Sequence, residues 1–68
     1  MNTIDQIGKR VAAYRARQNI SQQSFAQRCS ISMRYLSRLE NGDANPSFHV
    51  LERISSAMDI TIVELIEG

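Results

Sequence analysis

Apolar positions in this 68-residue chain recur at spacings of three and four residues, in five short runs separated by polar punctuation. Ile4, Ile7, Val11 and Tyr14 keep that rhythm to about Arg17, with Thr3 as candidate cap and Gln6 three residues on in capping-box spacing. Ser21 caps a second helix whose inward residues are Phe25, Ala26 and Cys29, with Ala26 small where this helix crosses the next one closely. Ser30 and Ile31 form a turn, and Ser32 caps a third helix that turns Leu36 and Leu39 inward. Asn41-Gly42 stops it, with Gly42 free to take positive φ. A loop follows from Gly42 to Pro46, because Pro46 disfavours helix at Asn45, and Ser47 caps a fourth helix with Phe48, Leu51, Ile54, Ala57 and Met58 inward. The last helix begins after Thr61, with Glu64 in capping-box position, and draws on Ile60, Ile62, Val63, Leu65 and Ile66. No convincing strand appears, so the pattern predicts an all-α, compact five-helix bundle.

The segment from Ser21 to Gly42 is the most informative. Two short amphipathic helices joined by so tight a turn have the layout of a helix-turn-helix. Its second helix offers Met33, Arg34, Ser37 and Arg38 on one outward face, as a segment needs if it enters the major groove of double-stranded DNA and touches base edges. Arg34 or Arg38 can pair with guanine O6 and N7, and Met33 can lie against a thymine methyl. The plain alternative is a solvated helix face with no ligand.

Charge adds an independent observation. The formal net charge of +1 conceals a division along the chain: seven basic residues face Asp5 alone up to Leu39, whereas from Glu40 onward six acidic residues face Arg53 alone. Such a split suggests one surface for a polyanion and another kept away from it.

Length allows one domain, residues 1 to 68, with a single small core and no room for a separate catalytic domain. A core of this size rarely supplies more than about 3–5 kcal/mol, so a subunit partner or bound DNA would matter energetically. The single Cys29 has no disulfide partner in the chain and sits on an apolar helix side, which fits a reducing cytoplasm. No apolar stretch is long enough to cross a bilayer, and Met1-Asn2-Thr3 leads straight into a helical pattern rather than a signal peptide, so a cytoplasmic location is expected. His49, the only histidine, and Cys29 lie on different helices, so neither a nucleophile-base pair nor a zinc site is indicated. With no glycine-rich phosphate loop either, no enzyme, cofactor, metal or small-molecule ligand is expected.

Taken in order, Ser21-Gln22, Ile31-Ser32, Tyr35-Leu36-Ser37-Arg38-Leu39-Glu40-Asn41-Gly42 and Asn45-Pro46-Ser47 make the chain resemble the phage repressor and Cro family of helix-turn-helix regulators, also called the XRE family. The resemblance runs from about Ile7 to Glu67. It implies a transcription regulator whose third helix is the recognition helix and which usually acts as a dimer. It also implies that Gln22, with its neighbour Gln23, holds a phosphate at the start of helix two, where unpaired N–H groups favour anions. Asn41 and Asn45 would present the loop to the phosphate chain, and Arg15 would bridge Glu40 and a phosphate. Tyr35 is open: its hydroxyl can meet a phosphate, or its ring can pack beside helix two or four. Ser30 departs from the family, which usually has glycine there; either the turn carries a left-handed residue at a cost of about 1–2 kcal/mol or it takes another shape. Val63 departs too, since relatives more often carry a polar residue; with Ile62 and Ile66 it suggests a homodimer contact and a palindromic operator, against a broad but wholly internal helix. A different class remains open: an antitoxin or adaptor that uses this fold to bind a protein.

Overall fold

A computed structural model describes residues 3–68, and its elements follow from local chemistry at each helix end. Among the described residues five helices run in order: α1 (Thr3–Gln18), α2 (Gln22–Cys29), α3 (Met33–Glu40), α4 (Phe48–Ala57) and α5 (Ile62–Glu67). Ser21, Ser32 and Ser47 each hold an extended backbone and accept a hydrogen bond from the N–H three residues on, of Ser24, Tyr35 and Val50. Such caps satisfy donors that a helix start otherwise leaves unpaired. Thr61 and Glu64 close a full capping box at α5. Thr3 is already helical, so it is not the cap its spacing predicts; Met1 and Asn2 lie outside the described residues.

The turn between α2 and α3 takes the left-handed form at Ser30, with φ 57° and ψ 41°. The N–H of Ile31 closes the turn on the carbonyl of Ala26 at 3.0 Å. The missing glycine therefore leaves the shape unchanged and its cost in place. At the far end of α3, Gly42 supplies φ 79° and lets the chain turn into the loop.

The core gathers Ile7 and Val11 from α1, Phe25, Ala26 and Cys29 from α2, Leu36 and Leu39 from α3, Ile54 and Met58 from α4 and its end, and Leu65 from α5, with Ala44 plugging the loop. Tyr14 lies against Phe25 with ring centroids 5.8 Å apart and joins α1 to α2. Gly8 lets α1 approach the end of α3 so closely that a Cβ there would collide with the carbonyl of Leu39.

One inward assignment fails. Phe48 is 62% exposed. At about 100° per residue it lies roughly 90° from the centre of the face formed by Leu51, Ile54 and Met58, and Val50 packs against the core in its place. In α5 only Leu65 is fully buried; Ile62 and Ile66 are half-buried and Val63 is 61% exposed, so the wide apolar arc is not consumed internally.

Candidate nucleic-acid interface

The face built by α2, α3 and the loop after α3 carries the sequence-predicted residues. Ser32 starts α3, so Met33 and Arg34 fall on its first turn, where Met33 is 51% exposed and Arg34 is exposed. Arg34 has no hydrogen-bond or ion-pair partner among the described residues. Ser37, one turn further, is half-buried. Arg38 is exposed but not free: its Nη2 donates to the carbonyl of Asp43 at 3.0 Å. Leu36 and Leu39 are fully buried on the opposite side and fix which side of α3 faces out.

Beneath this face, Arg15 and Gln22 meet on the carboxylate of Glu40, distant from both in sequence. Arg15 donates through Nε to Glu40 Oε2 at 2.6 Å and through Nη2 to Oε1 at 2.9 Å, while its Nη1 donates to the carbonyl of Ile20 at 2.9 Å. Gln22 adds a bond from Nε2 to Glu40 Oε1 at 3.1 Å. Burial alone would push the Glu40 carboxyl upward, but the hydrogen bonds from Arg15 and Gln22 and the guanidinium charge outweigh it and hold the group below the usual carboxylate range. The bond to Glu40 likewise raises Arg15, against the opposing effect of burial. Glu40 thus sits between a guanidinium and a side-chain amide as a neutralised anchor. An amide NH2 has two donors and a guanidinium five, so Gln22 and Arg15 both keep N–H groups unspent.

Gln23, Asn41 and Asn45 are exposed; Tyr35 is half-buried and packs on the core, which favours the ring-packing alternative. Cys29 is fully buried and burial pushes its thiol up to about 11, partly opposed by Arg28, so it is a packing residue.

One structural role went unread in the sequence. Arg10 turns away from this face and donates through Nη1 to the carbonyls of Leu65 at 2.7 Å and Ile66 at 2.6 Å, at the end of α5. Its cue was a basic residue on α1 with no acidic partner near it in sequence. Three of the seven basic residues before Glu40, Arg10, Arg15 and Arg38, are therefore occupied with structure, which leaves the outward cations fewer than the charge pattern implies. Among the described residues no helix is long and apolar enough to cross a membrane, and no cluster of side chains could hold a metal ion.

The family described as helix-turn-helix matches residues 11–65. The chain belongs to that family. It is 32% identical over 62 residues to the transcriptional regulator SinR of Bacillus subtilis, across 90% of this chain and 56% of SinR. It is 43% identical over 47 residues to the control protein C.MunI of a Mycoplasma species, across 69% of this chain and 64% of that protein. A solved structure of SinR, described as the master regulator for biofilm formation in complex with DNA, superposes with a TM-score of 0.79 at 32% identity, covering 87% of this chain and 95% of that one. The chain spans little more than half the length of the SinR proteins it matches.

Proposed function

We propose that this helix-turn-helix chain is a non-enzymatic, sequence-specific DNA-binding transcription regulator that inserts α3 into the major groove. The observation that carries the reading is the tip of α3, where Met33 and Arg34 stand exposed and Arg34 has no partner among the described residues. An arginine so placed can form paired bonds to guanine O6 and N7, and the Met33 side chain suits a thymine methyl, with Ser37 beside them. Gln22 and Gln23 offer side-chain amides and first-turn N–H groups to one phosphate, supported by Arg15, while Asn41, Asn45 and the Tyr35 hydroxyl address the next stretch of backbone. Comparison with a regulator whose solved structure contains DNA supports the same assignment.

A second copy would dock through Ile62, Val63 and Ile66, since α5 leaves Val63 in water. Two recognition helices would then stand about one DNA turn, roughly 34 Å, apart and favour a palindromic operator.

Selection from a pool of random duplexes tests the reading: the protein should enrich one sequence. Its affinity should fall with salt at a log-log slope near −0.9 per neutralised phosphate. No enrichment and no slope would point instead to an adaptor that keeps this fold for a protein partner.

A further inference from the structure

We infer that Arg38 is a positioning residue that fixes the loop after α3, which leaves base reading to Met33, Arg34 and Ser37. The inference rests on the DNA reading above and refines it. Sequence spacing puts Arg38 on the same side as Arg34, yet the two arginines differ in one respect. Arg34 has no partner among the described residues, whereas Arg38 holds one loop residue from two directions. Its backbone carbonyl accepts the N–H of Asp43 at 2.8 Å, and its Nη2 donates to the carbonyl of Asp43 at 3.0 Å. Both backbone groups of Asp43 are thereby committed to one residue of α3. The N–H of Gly42 bonds to Leu39 at 3.1 Å within the same turn, and the next residue, Ala44, is buried.

The loop is thus pinned at 42, 43 and 44 before it delivers Asn45 to the surface and Ser47 to the start of α4. A guanidinium bent back on this carbonyl is not extended toward base edges. Its charge stays beside the two exposed asparagines, Asn41 and Asn45, that flank the loop, and what it sets is their spacing. An arginine in this role alters affinity for every duplex alike, because phosphates carry no sequence information.

Two measurements on the full chain test this. In the free protein, Arg38→Ala should speed amide exchange at Asp43 roughly threefold to tenfold while leaving the amides of α1 and α2 unchanged. In selection from random duplexes, Arg38→Ala should return the wild-type consensus with affinity lowered roughly fivefold to tenfold for all members, whereas Arg34→Ala should lose the preference at one base pair. A relaxed base pair in Arg38→Ala overturns the inference and leaves the DNA reading standing. A uniform loss of affinity with unchanged Asp43 exchange also overturns it, because Arg38 would then contact phosphate directly. A wild-type protein that enriches no sequence overturns the DNA reading, and this inference with it.

Discussion

Arg15 and Glu40, twenty-five positions apart, form a two-nitrogen, two-oxygen pair that ties the end of α1 to the end of α3. The Glu40 side chain is only 7% exposed and that of Arg15 20%, so the pair is shielded enough to matter. Breaking a buried pair from one side costs about 3–5 kcal/mol; with Arg15 still partly wetted, Glu40→Gln should cost about 2–4 kcal/mol at pH 7 in urea denaturation.

The same pair sets an acid limit. Glu40 titrates lower in the folded chain than in the unfolded one, so its contribution is complete above the unfolded carboxylate range near pH 4.5 and is lost as pH falls through the depressed folded value. Arg15, raised from an already high value, opens no window at working pH. The stability gap between wild type and Glu40→Gln should therefore narrow in urea titrations run below about pH 4.5. A gap of equal size at pH 3 would contradict the assignment.

Arg10 should stabilise α5 from outside that helix. A six-residue helix is marginal alone, and Arg10 satisfies two of its final carbonyls. Arg10→Ala should lose about 1.5–3 kcal/mol, the range for hydrogen bonds made by charged groups, with faster amide exchange concentrated in α5. Loss spread evenly over the fold would argue against a capping role.

Ser30→Gly should stabilise the protein. It relieves a left-handed serine costing about 1–2 kcal/mol and gives back about 0.4–1 kcal/mol through the freer unfolded chain. The net gain of about 0.5–1 kcal/mol should appear as a Tm higher by a few degrees. Asn19 and Asp59, also left-handed, are residue types that tolerate the conformation better.

Gly8→Ala should do the opposite, although alanine favours helix by about 1 kcal/mol. The added methyl meets the carbonyl of Leu39, a backbone atom that cannot rotate aside. Separation of α1 from α3 should cost about 1–3 kcal/mol in denaturation, as in other overpacked sites.

Val63→Glu tests the proposed dimer. Because Val63 is exposed in the single chain, the change should leave the fold of each subunit intact while shifting sedimentation toward monomer. A wild type that is monomeric at high concentration would remove the contact.

Much of this fold was readable because its signals are local. Ser21, Ser32, Ser47 and the Thr61-Glu64 box each act within four residues, so the chain order alone reveals them. The Arg15 and Glu40 pair was accessible only through resemblance, since nothing in spacing brings residues 15 and 40 together. Phe48 misled because its hydrophobicity implied burial, whereas helix phase places it beside the buried face. Gly8 and Arg10 depend on where α3 and α5 come to rest, which no window of sequence contains. In the interface, exposure of Met33 and Arg34 followed from the inward phase of Leu36 and Leu39, while the backward turn of Arg38 required the loop's path.

On the proposed reading, Met33, Arg34 and Ser37 of α3 read bases while the elements around them grip phosphate. Its most direct test is competition binding of wild type and Arg34→Ala against the selected duplex and its single base-pair variants. Arg34→Ala should lose about 1–3 kcal/mol of discrimination at one position in each half-site and keep the rest. Discrimination unchanged at every position, with the selected duplex bound as tightly as before, would contradict it.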